Sequence, residues 1–195
     1  MYLFLYWRTT GLEKKSEMIK RKLILSAIFV ALSVVIGYAF MAVPNVELLT
    51  ATVFIAGFVL GPLYGALTGA TAEFIYSFFN PLGVPMLPLL LAQVSSLMFI
   101  GFSAGLVAKT HCLFLPPPLR ILCFALIGLG LTLIFDVLTT LSYVVFLTGL
   151  DPVKMWANFI SGMGFYLIHI VVNTAIFAAI VPFILRRVTD FGRKI

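Results

Sequence analysis

The stretch "GPLYGALTGATAEFIY", residues 61–76, decides how this chain is organised. Gly61, Gly65 and Gly69 recur every four residues, so one face of a helix formed here has almost no side chains. The same stretch then carries a carboxylate, Glu73. Small-residue faces let helices approach closely in a membrane, whereas a charged group there is costly unless it faces protein or water. The stretch therefore predicts a closely packed transmembrane helix that ends beside a polar site.

The composition of the whole chain agrees with a membrane location. Of the 195 residues, 62% are hydrophobic and only 10% are charged, and the mean hydropathy is +1.15, values that exclude an ordinary water-soluble domain. About 20 apolar residues are needed to cross the roughly 30 Å hydrocarbon core. We predict an all-α membrane protein with six transmembrane helices, at residues 23–41, 46–60, 62–79, 86–108, 119–147 and 156–185.

These segments form one domain. The six-helix domain is predicted at residues 23–187, preceded by a cytoplasmic or interfacial segment at 1–22 and followed by a basic cytoplasmic tail at 188–195. The aromatic-rich beginning, "MYLFLYWRTTG", is too short to cross a membrane and could lie at its surface. The alternative is that translation begins at Met18.

Lysine and arginine are distributed unequally between the two sides of the predicted helices. If both termini are cytoplasmic, every Lys and Arg except Lys154 falls on the cytoplasmic side. Cytoplasmic loops are enriched in basic residues, so this orientation in the lipid bilayer is favoured. The formal net charge of +6 follows from the same asymmetry and gives no reason to predict nucleic acid as a partner.

Three of the predicted helices carry polar stripes. Glu73 shares a helix face with Tyr76, and Asp136 shares one with Tyr143, while the last helix carries a stripe that includes His169. By the predicted topology these stripes point toward a cavity that opens outward. One alternative is that Glu73, Asp136 and His169 only bond to one another and fix helix positions. The predicted substrate-binding residues are Glu73, Tyr76, Asn80, Asp136, Tyr143, Asn158, Tyr166, His169 and Asn173.

Other helices also carry small-residue faces. The first helix has Ala27 and Ala31, and the fourth has Gly101 and Gly105. Such faces indicate helix packing in lipid, but their spacing does not say whether the packing partner belongs to the same chain. Packing within the chain is the favoured interpretation.

Four segments together resemble the substrate-binding S components of energy-coupling factor (ECF) transporters. They are "SAIFVALSVV", "GFVLGPLYGALTGATAEFIY", "LIFDVLTTLSYVVF" and "GFYLIHIVVNTAIFAAIVPFIL", and the resemblance extends from about Ile19 onward. It implies a six-helix bundle in the cytoplasmic membrane of a prokaryote, which captures a vitamin or related micronutrient outside the cell. It also implies docking on a transmembrane coupling protein that carries two ATP-hydrolysing subunits, and reorientation of the S component to release its cargo inside.

The resemblance further implies roles for particular residues. The early helices of the family offer the docking face, and the later helices and outer loops form the pocket. The residues predicted for partner docking are accordingly Ala27, Ala31, Gly61, Gly65 and Gly69. The chain has no Walker A pattern, so nucleotide hydrolysis would come from partners, and we predict no cofactor, no metal and no catalytic residue.

The identity of the substrate stays open at this stage. The chain lacks the amino-terminal Met-His of the nickel and cobalt branch, and its two tryptophans, Trp7 and Trp156, give little support to a tryptophan-lined thiamine site. Two acids without an intramembrane Lys or Arg favour a ligand that is cationic or rich in hydrogen-bond donors.

Three other functions are alternatives to substrate capture. A stand-alone and possibly proton-coupled transporter would work without ATPase partners. An intramembrane metal-dependent enzyme could use Glu73, Asp136 and His169, although no HExxH or GxSxG motif is present. An assembly or scaffold protein would leave the polar stripes unexplained.

Overall fold

The computed structural model describes residues 2–43 and 46–192, with side chains described for residues 13–43 and 46–190. Helices account for nearly all of this part of the chain, which is the all-helical architecture that the sequence predicts. A one-turn 3-10 helix, Cys112–Phe114, lies in the link before the fifth α-helix. The six α-helices are α1 (Tyr2–Phe40), α2 (Leu49–Leu60), α3 (Pro62–Phe78), α4 (Leu87–Val107), α5 (Pro117–Thr148) and α6 (Pro152–Gly192).

The helix lengths differ from the predicted spans. Among the described residues, four helices are long and apolar enough to cross a membrane: Glu13–Phe40, Leu87–Val107, Pro117–Thr148 and Pro152–Asp190. Helix α2 has 12 residues and α3 has 17, so they reach only about 18 and 26 Å. The six-span count and the cytoplasmic termini therefore stay predictions.

Two helices extend into the predicted terminal segments, and the division at residues 22 and 187 stays a prediction. Helix α1 is continuous from Tyr2 and so runs through most of the predicted segment 1–22. Helix α6 runs to Gly192, through the start of the predicted basic tail. Met1 and residues 193–195 lie outside the described residues. The aromatic beginning lies where the backbone alone is described.

A glycine separates α2 from α3. Gly61 has a φ of 92°, a backbone conformation that residues with a Cβ rarely adopt. Pro62 follows as the first residue of α3, where its fixed φ suits a helix and its missing N–H costs nothing. The chain therefore reverses tightly here, and α2 and α3 pack against each other.

Glycines bring α2, α3 and α4 into backbone contact. A Cβ added at Gly65 would collide with the carbonyl oxygen of Gly101, and one at Gly69 would collide with that of Leu97. The reciprocal Cβ at Gly101 would meet the backbone of Gly65. We call this surface the glycine interface, and its residues are Gly57, Gly65, Gly69, Gly101 and Gly105.

The glycine interface corrects part of the docking prediction. Gly65 and Gly69 are buried against α4 of the same chain, so they present no open face to a partner. Gly61 is half-buried at the turn before α3, and its docking role stays a prediction. The small-residue face of α3 thus serves packing within the chain.

The short helix α2 forms the centre of the bundle. Ten of its 12 residues are buried, and it contacts α1, α3, α4 and α6. The Phe54 ring packs edge-on against Phe124 of α5 and Phe177 of α6, with ring centroids 6.3 and 5.0 Å apart. Burial of these aromatic side chains joins α5 and α6 to the helices of the glycine interface.

Helix α1 lies at the edge of the bundle, against α2 and α3. Its inner face includes Ser33 and Gly37, which are buried. Its outer face includes Ala27 and Ala31, which are exposed. We call this pair the alanine face. Its residues are exposed, whereas those of the glycine interface are packed against neighbouring helices.

Candidate functional site

A cavity of about 540 Å³ lies at the end of the bundle where α1 and α3 end. Its wall is built from the end of α1, the links that follow α1 and α3, and parts of α3 to α6. This volume lies in the range of pockets that hold small molecules. The polar side chains that line it are Glu47, Glu73, Tyr76, Ser77, Asn80, Gln93, Asp136, Tyr166 and His169.

His169 of α6 is the centre of a buried hydrogen-bonded group. Its Nδ1 lies 2.7 Å from Oδ1 of Asp136 on α5, and its Nε2 lies 2.9 Å from the amide nitrogen of Asn173. A neutral imidazole with its proton on Nδ1 donates to the carboxylate and accepts from the amide, whereas an imidazolium would donate to Asp136 and present a second N–H toward Glu47 and Asn173. The Phe135 ring packs edge-on against the imidazole, 5.9 Å between centroids, and fixes its plane.

Glu47 joins this group from the link before α2. Its Oε2 lies 3.7 Å from Nε2 of His169, and its Oε1 accepts a hydrogen bond from the Thr50 hydroxyl at 3.1 Å. The sequence interpretation missed Glu47 because it assigned the residue to a connecting link. The available signal was an acid two residues before a helix, where the positive end of the helix dipole favours a carboxylate.

Glu73 lies in the cavity wall at the end of α3. It is 3% exposed, and its Oε1 accepts a hydrogen bond of 2.7 Å from Ser77, one turn later on the same helix. The first turns of α3 form the glycine interface, while this last part faces the cavity. One helix thus combines a packing face and a polar wall, which explains a carboxylate within so apolar a segment.

The structure brings three further predicted residues to the cavity. The Tyr76 ring packs against Tyr38 of α1, and the Tyr38 hydroxyl donates to the Tyr76 carbonyl at 3.2 Å. Asn80 accepts a hydrogen bond from the backbone N–H of Leu82 and so shapes the link at the mouth. The Tyr166 hydroxyl accepts from the Thr140 hydroxyl at 3.0 Å and ties α6 to α5.

Three predicted residues lie outside the cavity lining. Asn173 is fully buried behind His169 and contacts the site only through that ring. Tyr143 is 40% exposed on α5, and the Asn158 amide donates to the Lys154 carbonyl near the start of α6. The structure therefore does not bring Tyr143 and Asn158 to the cavity, and their assignment to the site stays a prediction.

Hydrogen bonds among the polar residues at the cavity do not satisfy all of their buried atoms. Asp136 and His169 do bond to each other, as the structural alternative expects. Even so, three buried oxygen atoms at this group have no hydrogen-bond partner within the described protein: Oδ2 of Asp136, Oε1 of Gln93 and Oδ1 of Asn173. Among the described residues, no group of three or more His, Cys, Asp or Glu side chains is arranged to hold a metal ion.

Comparison with known proteins gives one match. The family model described as "ECF transporter, substrate-specific component" matches residues 21–187, which is most of the chain. No curated protein and no solved structure matches it.

Proposed function

Because this chain belongs to the family of substrate-specific components of ECF transporters, we propose that it captures a small water-soluble, vitamin-like molecule outside the cell. Members of this family are substrate-binding subunits of transporters, and they pair with a transmembrane coupling protein and ATPases. We propose that the chain works in this way in the cytoplasmic membrane of a prokaryote. ATP-driven uptake would then be performed by the partner subunits.

The observation that carries the proposal is the polar cavity at one end of an otherwise apolar bundle. Its polar wall is contributed by α3, α4, α5, α6, the link before α2 and the link after α3, so six parts of the chain converge on one space. A bundle that only needed stable packing would gain nothing from a buried carboxylate oxygen without a partner, such as Oδ2 of Asp136, because it costs free energy. A bound substrate that pairs with it accounts for its retention.

The charge distribution supports an outward-facing cavity. Arg120 lies near the start of α5 and Arg186 near the end of α6, whereas Asp136 and His169 lie several turns away along the same helices. The basic residues thus mark the end of the bundle opposite the cavity. Since basic residues favour the cytoplasmic side, the cavity would open to the outside.

We propose that the alanine face of α1 docks on the coupling protein. Ala27 and Ala31 are exposed, and their small side chains permit close approach of another helix. The alanine face lies on the outer side of α1, away from the cavity wall. Docking and substrate binding would therefore use different surfaces, so that a loaded subunit could dock without disturbing its cargo.

Capture would proceed at the mouth of the cavity. The links after α1 and after α3 contribute Val43, Val46, Leu82 and Val84 to its lining. Closure of these two links over a bound molecule would separate it from water before the bundle reorients. The glycine interface would hold α2, α3 and α4 together during that movement, because close-packed backbones move as a unit.

The test is substrate binding and uptake measured with and without the partners. The isolated chain in lipid nanodiscs should bind its substrate, and uptake into cells that express it should require the coupling protein and active ATPases. Uptake that persists when the ATPase subunits are deleted would establish a stand-alone transporter instead. Chemical conversion of the bound compound by the isolated chain would establish an enzyme.

A further inference from the structure

We propose that the cavity takes a ligand whose polar end is a protonated nitrogen or a set of N–H donors attached to a flat, apolar ring, and that it excludes ligands whose polar end is a carboxylate or phosphate. The inference rests on the proposed capture function and names the chemical class of the substrate. It is carried by the unpaired atoms of the site, by its charge and by its aromatic wall.

The unpaired buried atoms of the polar group are all oxygens. Oδ2 of Asp136 and Oε1 of Gln93 belong to residues of the cavity wall, and Oδ1 of Asn173 lies behind them. Asp136 is 9% exposed, and its other oxygen is already occupied by His169. Carboxylate and amide oxygens accept hydrogen bonds and do not donate them. The partner that Oδ2 of Asp136 lacks is therefore a donor.

The described ionisable side chains of the cavity wall are mostly acidic, and the one histidine among them, His169, already contacts Asp136 and Asn173. Three carboxyl groups line the cavity, from Glu47, Glu73 and Asp136, and none of its described lining residues is Lys or Arg. The sequence supplies no replacement, because residues 23–108, 121–153 and 155–185 contain no lysine or arginine. Lys154, in the first turn of α6, is exposed, and its Nζ lies 3.6 Å from the Asp151 carboxylate.

These charges make the binding free energy of cationic ligands more favourable than that of anionic ligands. An anionic group placed in this wall would lose its water without gaining a lysine or arginine partner, and it would face three carboxyl groups. A protonated amine or amidine would instead make charge-assisted hydrogen bonds, which are about twice as strong as neutral ones. The site therefore selects ligands by repulsion of the wrong charge as well as by attraction of the right one.

The apolar part of the wall suits a flat ring. Phe40, Phe135 and Phe165 line the cavity together with the rings of Tyr76 and Tyr166. Aromatic faces stabilise planar ligands by stacking and cations by attraction to the ring face. The substrate class that fits both parts is a small heterocycle that carries an amine, an amidine or a ring nitrogen with a positive charge.

The experiment is a competition among ligands of defined charge. The full chain in nanodiscs is equilibrated with an equimolar mixture of thiamine, pyridoxamine, pyridoxine, nicotinate, biotin and pantothenate, free compounds are removed, and bound ones are quantified by mass spectrometry. We expect a cationic or amine-bearing member to dominate, and pyridoxamine to exceed pyridoxine. Domination by nicotinate, biotin or pantothenate would overturn the ligand class while leaving capture intact.

A matched pair of variants provides the second readout. Glu47→Gln removes a carboxylate from the wall, and Asp151→Asn removes an exposed carboxylate outside the cavity lining. We expect Glu47→Gln to weaken binding of the dominant compound about tenfold and Asp151→Asn to leave it unchanged. Tighter binding in Glu47→Gln would overturn the proposal. Retention of nothing from the mixture would contradict capture itself, and the ligand class with it.

Discussion

The glycine interface and the alanine face have similar sequence patterns but different surroundings. In both, small residues recur every four positions along a membrane helix. Gly65 and Gly69 are buried against the backbone of α4, whereas Ala27 and Ala31 are exposed on the outside of α1. A small-residue stripe thus shows that a helix approaches something closely, and only the fold shows whether that partner lies in the same chain.

The difference assigns separate tasks to the two surfaces. The glycine interface maintains the bundle that shapes the cavity, so bulk there should damage folding and binding together. The alanine face is proposed to contact the coupling protein, so bulk there should damage transport alone. Substitutions at each surface can therefore show whether the two tasks are separate.

The largest effect is expected from Gly65→Leu. Its Cβ would collide with the Gly101 carbonyl oxygen, and backbone atoms cannot move aside as side chains can. We expect a loss of about 3 kcal/mol of stability or more, seen as aggregation or a lowered midpoint in thermal unfolding of the detergent-solubilised protein. Gly130→Leu is the control, since a Cβ at Gly130 meets nothing within 4 Å. Equal stability of both variants would contradict the glycine interface.

Ala31→Trp should abolish uptake while sparing substrate binding. The exposed alanine leaves room for the indole within the isolated chain, but the added bulk would separate α1 from a docking partner. Uptake into cells and binding to purified protein are measured side by side. Leu126→Trp, at a residue 58% exposed on α5, places the same side chain on a lipid-facing surface away from α1. Normal uptake by Ala31→Trp would remove docking from the alanine face.

Asp136→Asn should weaken substrate binding while leaving docking on the coupling protein unchanged. The substitution keeps the size of the side chain and an oxygen for His169, but removes the charge beside the cavity. We expect binding about 10- to 100-fold weaker, the amount that loss of a charge-assisted hydrogen bond produces. Association with the coupling protein should be unchanged in a pull-down assay. Unchanged substrate affinity would exclude Asp136 from the site.

Tyr143→Phe should have the smallest effect. The side chain is 40% exposed and does not line the cavity, so removal of its hydroxyl should change substrate affinity less than about twofold. A calorimetric titration beside the wild-type protein measures this directly. A tenfold loss of affinity would show that the site extends along α5 beyond the cavity.

Much of the fold follows from hydropathy, since each α-helix coincides with a predicted apolar segment. The ends could not be predicted, because α1 continues through charged residues such as Lys14 and Glu17 that hydropathy treats as a boundary. The central position of α2 in the bundle also could not be predicted from the sequence. Twelve apolar residues look alike whether lipid or protein surrounds them.

The candidate site was predictable where polar residues interrupt a membrane helix. Asp136 and His169 were recognised in this way, and the structure places them 2.7 Å apart. Glu47 was missed, because an acid in a link between helices is ordinary and only the fold turns that link over the cavity. Tyr143 was included because helix periodicity places it on the same face as Asp136. Periodicity does not show which part of that face a neighbouring helix covers.

The central claim is that this cavity captures a small molecule without help from partner subunits. The most direct measurement is mass spectrometry of compounds that remain with the wild-type chain and with Asp136→Asn after each is purified in detergent and denatured. We expect a vitamin-like compound in near-stoichiometric amount with the wild-type chain and its loss from the variant. Equal amounts of the compound in both, or a compound retained only when the coupling protein is present, would contradict this claim.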